Sequence, residues 1–194
     1  MAAPHSSSAS LDDAKRALRQ RMLAARAAWD PAAAGAALTA VVLREAPPPT
    51  GAVVSGFWPI GQEIDVRPLL HALHERGHRI ALPVTPRRGQ PLTFGLWRPG
   101  DVLQQERFGT FRPVGETVVP DFLLVPLLAF DRRGHRIGYG AGFYDRTLAA
   151  LPAGRYALGV AYAAQAVPEV PTGPGDVALD AIATDAGVVR PVAG

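Results

Sequence analysis

Apolar positions recur at two spacings along this chain, and the change from one to the other separates helices from strands. Leu11, Leu18, Met22 and Ala25 fall near helical spacing, while Lys15, Arg16, Arg19, Arg21 and Arg26 cover the opposite side, which predicts an amphipathic helix over 11–28. Asp12 and Asp13 stand in its first turn, where the helix dipole favours acids. Asp30-Pro31 starts a second helix that runs to about Ala46, and Pro47-Pro48-Pro49-Thr50-Gly51 breaks it. Ala52 to Trp58 reads as a strand, Arg67 to Arg76 as a helix ended by Gly77, and Arg79 to Pro83 and Leu92 to Trp97 as two more strands. Phe122 to Ala129 is a short apolar run of the kind that forms a buried strand. Asp145 to Leu151 predicts a helix, Tyr156 to Ala161 and Ala178 to Ala183 predict strands, and Val188 to Val192 closes the fold. Arg98 to Val119 has no clear period and is expected to be a long loop.

Strands alternating with helices predict an α/β fold: a mainly parallel, Rossmann-like sheet flanked by helices, forming one domain over 11–194. Residues 1–10 are small and polar, with neither a basic nor an apolar signal region, and are expected to be a disordered leader. At 194 residues, with 48% hydrophobic and 19% charged positions, the chain suits one globular unit with a substantial core. No apolar run approaches the ~20 residues that cross a bilayer, so no membrane partner is expected. The absence of cysteine excludes disulfides, thiolate zinc sites and a cysteine nucleophile, and agrees with a cytoplasmic location.

A net charge of +3 suits a small anionic substrate as well as it suits RNA. The one lysine, Lys15, is more telling: every other basic position of the twenty is arginine. A lysine retained under that bias suggests a position that wants a compact, mobile ammonium. Lys15 and Arg19 are four residues apart and share a helix face, where they could clamp a polyphosphate; a solvated basic face is the plain alternative.

Chemistry concentrates between Phe130 and Arg146. There an apolar strand leads into a loop with Gly138, Gly140 and Gly142 at alternate positions, and Phe143-Tyr144-Asp145-Arg146 opens a helix. A strand, a glycine-rich loop and a helix bring backbone N–H groups and a helix N-terminus against a phosphate, and Arg132, Arg133, Arg136 and Arg146 suit the same partner. The spacing matches neither the phosphate loop that ends in Lys-Ser/Thr nor Gly-x-Gly-x-x-Gly. Glu63 and Asp65 follow the carboxyl end of the first strand, where open α/β sheets bind ligands, although Asp65 could equally cap the next helix. His71, His74 and His78 lie near one helix face, but no carboxylate accompanies them and an exposed face accounts for them.

Three separated segments together resemble the 5-formyltetrahydrofolate cyclo-ligase (5,10-methenyltetrahydrofolate synthetase) family. They are Lys15-Arg16-Ala17-Leu18-Arg19, Trp58-Pro-Ile-Gly-Gln-Glu63-Ile-Asp65, and the run from Phe130-Asp131 through Gly134, Arg136, Gly138, Gly140 and Gly142 to Tyr144-Asp145. Leu179 to Asp185 is similar to that family's C-terminal segment. The resemblance implies ATP- and Mg²⁺-dependent cyclisation of 5-formyltetrahydrofolate, with or without a polyglutamate tail, to 5,10-methenyltetrahydrofolate. In that chemistry the formyl oxygen takes the γ-phosphoryl group, N10 attacks the activated carbon, and ADP and phosphate leave. By the same resemblance, Lys15, Arg136 and Tyr144 are expected to be catalytic. Lys15, Arg19, Arg136, Ile137, Gly138, Tyr139, Gly140, Ala141, Gly142, Phe143 and Tyr144 are expected to hold ATP. Trp58, Glu63, Phe143 and Tyr144 are expected on the folate side, and Asp145 and Asp180 as magnesium ligands. Phe143 departs from the family's usual Tyr-Tyr-Asp by lacking a hydroxyl. A monomer without a nucleic-acid partner is expected. The competing readings are a phosphosugar isomerase or deaminase on a similar scaffold, and a basic nucleic-acid-binding module using Arg87, Arg88, Arg132 and Arg133.

Overall fold

A computed structural model describes residues 6–105 and 110–191. Helix α1 spans Ser6–Arg26 and α2 spans Pro31–Glu45. Residues 6–10, expected to be part of a disordered leader, are therefore the first turns of α1; adding residues to a formed helix requires no new nucleus. Residues 1–5 of that leader lie outside the described residues. Asp30 starts α2 as its composition predicts: one carboxylate oxygen accepts from the N–H groups of Ala32 (2.9 Å) and Ala33 (3.1 Å), and Pro31 takes the first turn.

The strands are β1 (Val53–Ser55), β2 (Arg79–Val84), β3 (Thr93–Trp97), β4 (Gln104–Gln105), β5 (Phe111–Arg112), β6 (Thr117–Val118), β7 (Phe122–Pro126), β8 (Ala129–Phe130), β9 (Arg136–Ile137), β10 (Tyr156–Ala161), β11 (Ala181–Thr184) and β12 (Gly187–Val189). Two further α-helices, α3 (Arg67–Glu75) and α4 (Phe143–Ala150), and a 3₁₀ turn at Ala163–Gln165 complete the described elements. The main sheet has the order β12-β11-β10-β7-β1-β2-β3-β6. Its five central strands, β11, β10, β7, β1 and β2, are parallel; β12 and β3 run antiparallel to them on the two sides, and β6 pairs antiparallel with β3 at the edge. The long loop expected over 98–119 instead carries β4 and β5, paired with each other, and β6, which extends the sheet. Segments of two residues are too short to give a readable period.

From β1 the chain passes through α3 to β2 on one side, then returns to place β7 on the other side of β1. The strand order reverses at that point, so the carboxyl ends of β1 and β7 flank a crevice of the sort that binds ligands in open α/β sheets. One sheet face packs on α2 and α3 through Leu38, Val42, Leu69, Leu70 and Leu73. The other packs on α4 through Phe143, Tyr144 and Leu148. A small separate core joins Leu18 and Met22 of α1 to Leu128, Ala129 and Ile137 around the β8–β9 hairpin. Burying each of those apolar side chains is worth about 1.5–3 kcal/mol, enough to fix α1 against the hairpin.

Gly35 brings α2 close to the loop after β1. A Cβ there would lie 2.1 Å from the Asp65 carbonyl oxygen, so only glycine lets α2 approach the loop that carries Glu63.

Candidate active site

Lys15, Arg19, Met22 and Arg26 follow one another at steps of four, three and four residues and so form one stripe along α1. Because Leu18 and Met22 pack on the β8–β9 hairpin, this stripe faces the glycine-rich turn instead of water. Lys15 Nζ donates to Asp176 Oδ2 at 2.5 Å, and Arg19 Nε donates to the Gly138 carbonyl at 2.9 Å. Arg26 Nη2 donates to the Tyr139 hydroxyl at 2.6 Å and lies 3.8 Å from Glu63 Oε1. Arg16 remains on the solvated side, paired with Asp13.

The turn is held from below by Asp131, which is 1% exposed. Its Oδ1 accepts from the N–H groups of Arg133 (2.9 Å) and His135 (3.2 Å), and its Oδ2 accepts from Val170 N (3.0 Å) and Arg133 Nη2 (2.9 Å). Burial pushes this carboxyl up, but the Val170 N–H and the Arg133 contacts more than offset it and leave it below the usual carboxylate range. Two of the glycines above it adopt positive φ, Gly140 at 99° and Gly142 at 67°. A Cβ at Gly140 would press on the Arg19 guanidinium, and one at Gly142 would fall 2.6 Å from Arg146 Nη1. Among the described residues, none of the N–H groups of Gly138 through Gly142 has a hydrogen-bond acceptor within the protein. Free amides at the start of α4, ringed by guanidinium groups, suit an anion.

Arg136 closes one side. It is buried, with Nη1 donating to the Val177 carbonyl at 2.5 Å and Nη2 to Asp145 Oδ1 at 2.9 Å. Burial lowers its affinity for the proton, and the Asp145 carboxylate offsets part of that. Val177 N in turn donates to Asp145 Oδ1 at 3.3 Å, which ties Asp145 to the segment holding Asp176.

Across the crevice, Glu63 is 6% exposed and its Oε2 accepts from Ile60 N at 2.8 Å. Burial raises the Glu63 carboxyl, and the Ile60 N–H, the Tyr139 hydroxyl and Arg26 work against that rise. Trp58 stands edge-on to Trp97 at 5.7 Å and beneath the Arg67 guanidinium at 5.8 Å. The Tyr144 hydroxyl is buried with no partner among the described residues, between the charges of Glu63 and Arg136, and burial raises it well above the usual phenol value. A buried hydroxyl without a partner fits a site completed by a ligand.

Most of the expected residues therefore meet, and three points differ. Asp180 has no contact with Asp145 or the cations of the turn among the described residues: its Oδ2 accepts from Ala157 N at 2.7 Å, at the start of β10, and the residue is exposed there. The carboxylate that joins Asp145 among the cations is that of Asp176. A lone aspartate in a Pro/Gly-rich turn carries no local signal, so nothing near it in the sequence marks it as part of the site. Ile137 turns into the small core, and its carbonyl accepts from Leu128 N, so it supports the turn from beneath. Arg26, expected on the solvated side of α1, is 3% exposed inside the site; its steps of eleven and seven from Lys15 and Arg19 are the one local clue. Asp65 pairs with Arg67 at 2.7 and 2.8 Å and accepts from Arg67 N, while the N-cap of α3 is Val66, without a side-chain cap, so the expected capping role is not seen. His71, His74 and His78 do not converge: His71 packs on Trp97 and His78 is buried against the Ala52 carbonyl. Among the described residues no three His, Asp or Glu side chains gather as a metal cluster.

The sequence matches the model of the 5-formyltetrahydrofolate cyclo-ligase family over residues 12–185. It is 37% identical to a 5-formyltetrahydrofolate cyclo-ligase of Mycolicibacterium smegmatis over 148 residues, covering 70% of this chain and 74% of that one. Against the Escherichia coli K12 protein described in the same words the identity is 34% over 139 residues, covering 68% and 76%. The solved structure of Aquifex aeolicus 5,10-methenyltetrahydrofolate synthetase is similar with a TM-score of 0.78 at 28% identity, over 93% of this chain and 94% of that one.

Proposed function

This chain belongs to the 5-formyltetrahydrofolate cyclo-ligase family, and from that premise we propose how its residues close 5-formyltetrahydrofolate into 5,10-methenyltetrahydrofolate with ATP as the phosphoryl donor. The activity is that of a carbon–nitrogen cyclo-ligase acting on a folate. A formyl oxygen on nitrogen leaves poorly until it is phosphorylated. It attacks the γ-phosphorus, the bond from that phosphorus to the ADP oxygen breaks, and N10 then attacks the formyl carbon. The carbon–oxygen bond breaks, phosphate departs with the former formyl oxygen, and N10 gives up its proton.

One observation supports this reading most: cations, free amides and acids converge where the crevice opens. Lys15, Arg19 and Arg136 face the turn 138–142, and Asp145 and Asp176 stand beside them. Phosphoryl transfer is catalysed mainly by positioning and charge neutralisation, which these groups supply without a covalent nucleophile. In the proposal Lys15 leaves Asp176 for the phosphates, Arg19 stays on the Gly138 carbonyl as it meets them, and the free amides bind phosphate oxygens. Asp145 and Asp176 would hold magnesium together with phosphate oxygens and water. Two carboxylates short of a full shell fit an ion that shares its coordination with substrate phosphates. When bound, that ion offsets phosphate charge. On the other side Glu63 accepts N–H groups of the folate ring, Trp58 and Phe143 wall it, and the free Tyr144 hydroxyl donates toward the reacting formyl oxygen. We take the working form to be a cytoplasmic monomer.

The test is direct. Protein, ATP, Mg²⁺ and 5-formyltetrahydrofolate are mixed, the methenyl product is followed by absorbance, and ADP is counted. One ADP per product is expected. Product without ADP, or a folate left unchanged while ATP is present, overturns the proposal.

A further inference from the structure

Arg26 is 3% exposed in the last turn of α1, although no step of the proposed ring closure uses it. Its guanidinium touches two segments that are far apart in sequence: the loop after β1, through Glu63 at 3.8 Å, and the glycine-rich turn, through the Tyr139 hydroxyl at 2.6 Å. Its Cζ also lies 5.7 Å from the centre of the Tyr139 ring. A buried cation must be paired, and here the pairing acid is a residue of the folate side.

The surroundings of Glu63 leave Arg26 a single duty. Ile60 N occupies Oε2, so Oε1 is the oxygen turned toward Arg26. The titratable and charged groups that face Glu63 are Arg26 from α1, Tyr139 from the turn, Tyr144 from α4 and Tyr162 after β10. Three of these are phenols, and Arg26 is the one cation among the described residues that faces this carboxylate. An ionised carboxylate accepts ring N–H groups on both oxygens, whereas a protonated one spends an oxygen as a donor.

We propose that Arg26 is a positioning residue of the folate side, keeping Glu63 ionised and aimed at the ring while tying it through Tyr139 to the turn that carries the nucleotide. The proposal rests on the folate reading of Glu63 given above.

Arg26→Met tests it. KM for 5-formyltetrahydrofolate rises roughly tenfold or more, with a much smaller change for ATP, and the acid limb of kcat/KM for the folate moves up by about one pH unit or more. Arg26→Lys restores most of that limb. Without any substrate, the carboxyl ¹³C signal of Glu63, assigned by its loss in Glu63→Gln, titrates at higher pH in Arg26→Met than in the wild type. An unmoved Glu63 titration, or equal rises in both KM values with an unmoved limb, makes Arg26 a packing residue and overturns the proposal. Wild-type protein that makes no methenyl product defeats the folate reading instead, while the ¹³C titration still decides the Arg26–Glu63 link. If Arg26→Met does not fold, Arg26→Met/Glu63→Gln decides: recovered folding supports the charge pairing, and persistent unfolding overturns it.

Discussion

On the side proposed for the nucleotide, Lys15 and Asp176 keep 14% and 26% of their side-chain surfaces in contact with solvent, whereas on the side proposed for the folate, Arg26 and Glu63 keep 4% and 7%. Both pairs join the same stripe of α1 to a loop, yet their environments assign them different work. Water beside the first pair screens it, so either partner can be released when a phosphate or a cation arrives. The second pair has no water to replace a lost partner, so its charges are held in place. One helix thus carries exchangeable charge at one end and fixed charge at the other. The lesson is that burial, more than residue type, decides whether a charge can be released to a ligand or is held in one orientation to meet it.

The largest effect expected from this contrast comes at the exchangeable end. Lys15→Ala and Asp145→Asn each lower kcat by about 10²–10³; the urea midpoint of Lys15→Ala stays near that of the wild type, because α1 is anchored by Leu18 and Met22, whereas that of Asp145→Asn falls, because buried Arg136 loses its carboxylate partner. Near-normal turnover in either variant would break the contrast.

A second test compares two buried carboxylates. Burial raises Glu63, whereas Asp131, although burial pushes it up too, ends below the usual range because N–H groups and Arg133 surround it. A carboxyl lowered in the folded state adds stability above its unfolded value, near pH 4, and loses it as the pH falls through the folded value. Asp131→Asn therefore costs about 2 kcal/mol at pH 7, and urea melts should show the gap narrowing below about pH 4. A gap that is constant with pH would mean that Asp131 acts by shape alone.

The third test sharpens the choice of acids. Asp176→Asn lowers kcat/KM for Mg·ATP roughly tenfold, whereas Asp180→Asn stays within about twofold of wild type because its carboxylate only caps Ala157 N. Steady-state kinetics at varied Mg²⁺ read the difference, and the reverse order would return the metal site to Asp180. A modest effect is expected at Gly142, which sits at φ 67°. Gly142→Ala costs about 1 kcal/mol of stability and a few-fold in kcat as Arg146 is displaced, measurable by thermal melts beside the assay.

Much of this molecule is legible in the order of its residues. The helix at Pro31 is announced by Asp30, the buried strand at Phe122 by its unbroken apolar run, and the tight turn 138–142 by alternating glycines between a strand and a helix. Those signals are local, since capping, burial of a short strand and positive φ each involve residues a few positions apart. The two-residue strands inside 98–119 escape such a reading because their pairing is decided by neighbours elsewhere in the chain.

What the sequence determined by itself was the longer elements, their alternation into an α/β sheet, and the family to which the chain belongs. What only the tertiary structure decided was which way the basic stripe of α1 faces and which aspartate meets it. Amphipathic spacing fixes a pattern around a helix axis but not the surface it packs on, so it is the docking of Leu18 and Met22 on the hairpin that turns Arg26 from a solvated position into a buried one. Asp176 reaches Lys15 across 161 positions of chain, and no local pattern encodes a contact of that span.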